Sequence, residues 1–422
     1  MSTARALPIA DSDAFAHPPL VRPARRLDRL RSSAVRDLLA HARRPDMISF
    51  AGGLPSADGF DGDGVRAAFE EVLADHRHAL QYGESEGEPE LRAALAEWMS
   101  GNGAPADAEH LLVTTGSQQA LDLVARLMLD DGDAVAFARP TYLAALSVFR
   151  LAQADLLGLA CDEQGPLPES LDRAARAHGR LRLLYLVPDF ANPTGETIGL
   201  DRRRALLEVA ARHGIVVVED NPYGALRFAG ESVRSMAALA ETVSASGASP
   251  CVISVSSLSK VMAPGLRIGW LVLPESLFAA AVRIKQALDL HTSTLIQLAA
   301  ARYLASGRLQ ARLPALRTLY GERHQALERA LGRHFGEALS LNRPQGGMFV
   351  WARLRDDAIV ESSAWLQRGL AHGAIFVPGE AFYDATPDTA TLRLSFATNP
   401  PERIDIGVAR LLAAWREARA AG

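Results

Sequence analysis

From about residue 65 to about residue 300 the chain alternates two hydrophobic rhythms. EPELRAALAEWM, SQQALDLVARLML and LDRRRALLEVAARHG repeat apolar positions three and four residues apart, the period of an amphipathic helix, and Gly214 closes the last of them. Between such segments lie HLLVTTG, DAVAFARPTY, LRLLYLVPDF, IVVVED, CVISVSS and LRIGWLVL, apolar runs too short for helices. Runs of this kind suit strands covered on both faces. The alternation therefore predicts an α/β domain whose mainly parallel sheet lies between helices. From about residue 310 the pattern changes. A long helix around Leu316–Leu331 leads to MFVWARL, AIFVPG and TLRLSFAT, which read as antiparallel strands, and then to a C-terminal helix. That predicts a second, smaller α+β domain. Upstream, the first ~30 residues are rich in Pro, Arg and Ala without a period and read as a mobile arm. SSAVRDLLAHARR spaces Val35, Leu38 and Leu39 as a short helix capped by Ser32 or Ser33, and ISFAGGLP reads as a strand entering a Gly-Gly turn. The expected division is an arm over 1–30, a small domain over 31–60 and 301–422, and a large domain over 61–300.

A length of 422 residues suits two to three domains, and 48% hydrophobic with 22% charged residues is ordinary for a soluble globular protein. A net charge of −4 argues against a protein that coats nucleic acid or an anionic membrane. The chain has no run of 18 apolar residues and its N-terminus lacks an apolar leader, so a cytoplasmic protein is expected. Cys161 and Cys251 form no metal or disulfide pattern and read as two buried thiols. One count changes the picture more than these. Of 45 basic residues only two are lysines, Lys260 and Lys285. In so Arg-rich a chain a solvated lysine drifts easily to arginine, whereas a lysine used for its primary amine cannot.

Lys260 lies in SSLSKVMAPGLRIG, beside Ser257 and Ser259, with Arg267 returning across a Pro-Gly turn. Hydroxyls and an arginine next to an amine suit an anionic phosphate. Asp220 ends the buried run IVVVED, where open α/β sheets bind ligands; a carboxylate there needs a partner such as a protonated ring nitrogen. Tyr223 follows three residues on. In VPDFANPTG, Asn192 precedes a proline and offers an amide donor to a phenolate-like oxygen. In TTGSQQALDLV, Gly116, Ser117 and Gln118 stand where a strand becomes a helix, a place for an anion. Tyr142, in ARPTY, ends the next strand and could stack on a planar ring. Arg393 sits mid-strand in TLRLSFAT; facing a cleft it would clamp a carboxylate. An amine, a phosphate cradle, a carboxylate for a ring nitrogen, donors for a ring hydroxyl and a stacking aromatic together fit pyridoxal 5'-phosphate.

On these stretches, and on LQYGESEGEPELRAALAEW, DLHTSTLIQ and GGMFVW, the chain resembles the class I/II aminotransferases of fold type I over residues ~33–410. It is most similar to the group with 2-aminoadipate aminotransferase and kynurenine aminotransferase II. The resemblance implies that Lys260 bonds covalently to the cofactor and that Asp220 keeps its ring nitrogen protonated. It implies that Asn192 and Tyr223 bind the ring hydroxyl, that Tyr142 stacks on the ring, and that Ser117, Gln118, Ser257, Ser259 and Arg267 bind phosphate. Arg393, with Gly52, Gly53 and Asn192 beside it, would take the substrate. Tyr82 would reach the phosphate of a neighbouring subunit, which makes a homodimer with shared sites. The implied reaction moves an amino group between a large L-amino acid and a 2-oxo acid such as 2-oxoglutarate by a ping-pong mechanism. Asn221 and Arg139 depart from the family, which often has acidic residues there. Arg36, on the helix before ISFAGGLP, is a candidate to swing toward an acidic side chain and away from a neutral one. The same cradle would also serve a β-lyase, racemase or decarboxylase, or the effector domain of a transcription regulator, although the ~45 residues before ISFAGGLP are short for a DNA-binding module.

Overall fold

The computed structural model describes residues 22–30, 38, 40–243, 248–355 and 361–421. Most of the expected arm and most of the following helix, including Val35, Arg36 and Leu39, lie outside them. In chain order the strands are β1 (Ile48–Ser49), β2 (Leu111–Thr114), β3 (Ala134–Ala138), β4 (Asp155–Leu159), β5 (Cys161–Asp162), β6 (Gly165–Pro166), β7 (Leu181–Leu186), β8 (Val216–Asp220), β9 (Val252–Ser257) and β10 (Gly269–Val272). β11 (Leu339–Leu341), β12 (Phe349–Leu354), β13 (Ala374–Ile375), β14 (Val377–Pro378) and β15 (Thr391–Ser395) follow.

Seven strands form one sheet in the order β2-β10-β9-β8-β7-β3-β4. β9, β8, β7, β3 and β4 pair in parallel, with helices in the connections. β10 runs antiparallel to both β9 and β2. Its link from β9 holds only two short 3-10 turns, Leu258–Lys260 and Pro264–Leu266, too little chain for the helical crossover that a parallel neighbour needs. β4 was not expected from the sequence. It is a half-buried edge strand whose Asp155 and Gly158 blur the apolar run.

Strand alternation sends successive residues to opposite faces. On β7, Leu184 and Leu186 join the core under the helix Leu200–His213, whereas Leu183 and Tyr185 face the other core. On β8, Val217 faces the first core and Val216 and Val218 the second. Asp220, two residues beyond Val218, therefore shares the face of Tyr185, which lies opposite Val218 in register.

A second sheet, β11-β12-β15-β14, is antiparallel throughout. AIFVPG does not form one antiparallel strand. Its first half, β13, pairs in parallel with β1, and only its second half joins β15. Residues just upstream of the Gly-Gly turn are thus built into the C-terminal part of the chain. The long helix is Arg308–Phe335, starting earlier than the sequence suggested. Buried Leu309 and Leu313 hold its first turns despite Pro314. Cys161 and Cys251 are half-buried rather than buried; Cys161 sits on the short β5–β6 hairpin. Among the described residues no helix is long and apolar enough to cross a membrane.

Candidate active site

The carboxyl ends of β7, β8 and β9 open into a cavity of about 370 Å³. Its floor is Asp220, the last residue of β8. Its Oδ2 accepts a hydrogen bond from the Tyr185 hydroxyl at 2.8 Å, while Oδ1 is buried without a partner. Burial pushes the Asp220 carboxyl up to about 7, and the Tyr185 bond opposes that rise. Tyr223, buried beside it, meets Phe349 edge-on at 5.9 Å. Tyr142 stands at the N-terminal end of the helix Leu143–Leu151, not on the strand end, and its ring lines the cavity.

Ser257 ends β9, and Ser259 and Lys260 occupy the single 3-10 turn that follows. The Lys260 amine donates to the Gly53 carbonyl at 2.9 Å. Burial, then the cations Arg267 and Arg393, push this amine down to about 8. About a tenth of it is then neutral at pH 7, where an ordinary lysine is almost wholly charged. Arg267 returns to the turn before the helix Ser117–Met128, its Nη2 3.5 Å from the Thr115 carbonyl. Gly116 has φ +80°, and a Cβ there would meet the Arg267 guanidinium at 2.2 Å. A Cβ on Gly269 would strike the Ser117 backbone nitrogen at 2.6 Å. Only glycines permit this approach of arginine, strand and helix terminus, and Ser117, Gln118, Ser257, Ser259 and Arg267 all line the cavity.

Arg393, on β15, also lines the cavity. β15 is buried on both faces, so Arg393 is 3% exposed instead of facing water. Its guanidinium lies between Phe349, at 4.3 Å, and Phe382, at 4.9 Å. Nη1 donates to Asn192 Oδ1 at 2.7 Å and Nη2 to the Ala51 carbonyl at 2.6 Å; buried Nε has no partner. Burial lowers its pKa to about 10, so it remains a cation at neutral pH. With Asn192 Oδ1 accepting from Arg393, its amide nitrogen is the group left for its hydrogen bond with the Tyr223 hydroxyl.

Gly53, Ser117, Gln118, Tyr142, Asn192, Asp220, Tyr223, Ser257, Ser259, Lys260, Arg267 and Arg393 thus line one cavity. Gly52 is buried just outside it, and Tyr82 is 78% exposed, edge-on to His291. Arg36 lies outside the described residues. Neither departure, Asn221 nor Arg139, lines the cavity. Asn221 donates to Asp189 Oδ2 at 2.9 Å, a place where a carboxylate would repel. Sequence reasoning missed Tyr185 and the aromatic pair Phe349 and Phe382. A tyrosine inside an apolar strand was the available signal, since a buried phenol needs a hydrogen-bond partner.

These residues fit a planar, phosphorylated pyridine. Asp220 Oδ1 is an acceptor awaiting an N–H, and the glycine-dependent cradle gathers hydroxyls and an arginine for a phosphate. Comparison with known proteins agrees. The family described as aminotransferase class I and II matches residues 45–411. The 2-aminoadipate transaminase of Thermus thermophilus is 38% identical over 91% of this chain and 94% of its own length. The aromatic-amino-acid aminotransferase 1 of Thermococcus litoralis is 36% identical over 92% of each. Among solved structures, LysN, the α-aminoadipate aminotransferase of Thermus thermophilus complexed with N-(5'-phosphopyridoxyl)-L-leucine, matches with a TM-score of 0.85 at 36% identity, over 94% of this chain and 98% of that one.

Proposed function

The chain belongs to the class I and II aminotransferases, and we propose that within them it moves the amino group of a large L-amino acid, 2-aminoadipate or an aromatic or branched-chain one, to 2-oxoglutarate. One observation carries the reading: the amine of Lys260 and an unpartnered buried carboxylate oxygen, on Asp220, line the same cavity as Arg393. Pyridoxal 5'-phosphate, the cofactor of this family, supplies when bound an aldehyde that takes up an amino group and a protonated ring that draws electrons from Cα. Asp220 Oδ1 would accept from the ring N–H while Tyr185 holds the other oxygen. Ser117, Gln118, Ser257, Ser259 and Arg267 would hold the phosphate, Asn192 and Tyr223 the ring hydroxyl, and Tyr142 would cover the ring. Arg393 pairs with the substrate α-carboxylate beside Gly52 and Gly53 and thereby points Cα toward Lys260. Lys260 Nζ would take the Cα proton and deliver it to the cofactor's former aldehyde carbon, on the far side of the transferred nitrogen.

Donor and acceptor share Arg393 and Lys260, so they use the site in turn, which is ping-pong kinetics. Exposed Tyr82, with Leu80 and Leu290 67% and 47% exposed, supports a homodimer in which Tyr82 completes the neighbour's phosphate site. The domain division at residues 60 and 300 and a cytoplasmic location belong to the same reading. The test is a set of half-reactions on the cofactor-loaded protein. 2-Aminoadipate, phenylalanine or leucine should convert the bound cofactor to its aminated form, and 2-oxoglutarate should restore it. Steady turnover of a donor with no 2-oxo acid present would overturn the proposal.

A further inference from the structure

The second lysine is buried, where Lys260 is half-buried, and it has no place in the cavity. Lys285 lies on the helix Glu275–Asp289, and its side chain is 0% exposed. Its amine donates to Asp289 Oδ1, one turn on, at 2.6 Å. The other oxygen, Asp289 Oδ2, accepts from Gln119 Nε2 at 2.6 Å and from the Thr115 hydroxyl at 3.4 Å. Gln119 Oε1 in turn accepts from the Thr115 backbone nitrogen at 2.7 Å. The turn Thr115–Ser117 is therefore tied on its outer side to this helix end and on its inner side to Arg267.

An arginine here would bring five N–H donors in place of three to a site where the amine's partner is one carboxylate oxygen. Asp289 keeps 29% of its side chain exposed, so without Lys285 its carboxylate is free to turn toward water and release Gln119. We propose that Lys285 is a positioning residue for the phosphate end of the cavity, acting through Asp289, Gln119 and Thr115 on the turn that carries Ser117 and Gln118. This rests on the reading that the cavity holds pyridoxal phosphate. It gives this Arg-rich chain a reason to keep each of its two lysines.

The test uses the apo-protein with two probes, inorganic phosphate and pyridoxal phosphate, and the reloaded enzyme. Lys285→Met should weaken binding of both probes by about tenfold, the loss expected when a charged hydrogen bond is removed. At saturating cofactor, kcat should stay within about twofold and the donor KM should not move. Gln119→Ala should give the same loss, and the double variant should lose no more than either single one, as for residues acting in one chain. Unchanged phosphate affinity in Lys285→Met, or additive losses in the double variant, overturns the proposal. If Lys285→Met does not fold, Asp289→Asn and Gln119→Ala, both on partly exposed side chains, complete the same cycle: shared losses support the coupling and additive losses overturn it. A wild-type chain that bound phosphate but no pyridoxal phosphate would overturn the functional reading instead, and the phosphate measurements would still decide the coupling.

Discussion

The surroundings of the two lysines differ in one respect that decides what each amine can do. Lys260 donates to a neutral carbonyl, that of Gly53, and is flanked by two cations, Arg267 and Arg393. Lys285 has a carboxylate at 2.6 Å. Burial lowers both amines, but at Lys285 Asp289 opposes the shift, whereas at Lys260 the neighbours reinforce it. Burial alone therefore does not make a nucleophile. An amine that must offer its lone pair is kept from a counter-ion, and one that must hold a structure is given one.

The sharpest break of this comparison is to exchange the amines' fates. Lys260→Ala should bind cofactor but lack the visible absorbance of the covalently held form, and turnover should be undetectable. Lys260→Arg should fare no better, because guanidinium stays protonated. Normal turnover in either variant would show that the amine in use is not Lys260.

Asp220→Ala tests the floor beneath Lys260. It removes the acceptor proposed for the ring N–H and leaves Tyr185 without its partner. Breaking a buried charged pair from one side costs about 3–5 kcal/mol, or about two to four orders of magnitude in rate. The single-turnover rate should fall by that much while phosphate affinity holds. Asp220 also sets a sign for stability. Its folded pKa is raised to about 7, so the folded apo-protein holds a proton that the unfolded chain releases near pH 3.8. That contribution is fully present below about pH 4 and is lost as pH rises toward 7. Melting of the apo-protein should show this loss, and Asp220→Asn should remove it.

Arg393→Lys tests the roof. A point charge replaces a planar fork packed between Phe349 and Phe382, so every amino- and oxo-acid substrate should lose about tenfold to a hundredfold in kcat/KM alike. Loss confined to one substrate class would make Arg393 a reader of side chains.

The sequence displayed the floor better than the supports beneath it. Asp220, Lys260 and Asn192 follow apolar runs, and a polar residue at such a junction announces itself. Arg393 was visible as a charge inside an apolar strand, but its burial was not, since alternation alone gave it a face toward water. Tyr185 and Asp220 are 35 positions apart and meet only because β7 and β8 pair in one register. Gln119 and Asp289, 170 positions apart, meet through helix packing that no local pattern encodes. The antiparallel β10 and the split of AIFVPG were hidden for the same reason: apolar runs tell that a strand forms, not which neighbour it takes.

The smallest expected effect concerns Tyr185, and it bears on whether the carboxylate at the floor needs a support as Lys285 supports the rim. Tyr185→Phe keeps the ring, which packs edge-on to Phe149 at 5.7 Å, and removes only the hydroxyl. The groups facing Asp220 are then the phenols Tyr142 and Tyr223, neither of which donates to it. In the apo-protein, loss of a donor to the ionised form raises the Asp220 pKa further. In the loaded enzyme, where a ring N–H would hold Asp220 ionised, the single-turnover rate should fall no more than about fivefold, as for one hydrogen bond of ~1 kcal/mol. In the apo-protein, infrared difference spectra should show the protonated carboxyl of Asp220 persisting to higher pH in the variant. An unmoved carboxyl in that variant would reduce Tyr185 to packing and leave Asp220 to its burial alone.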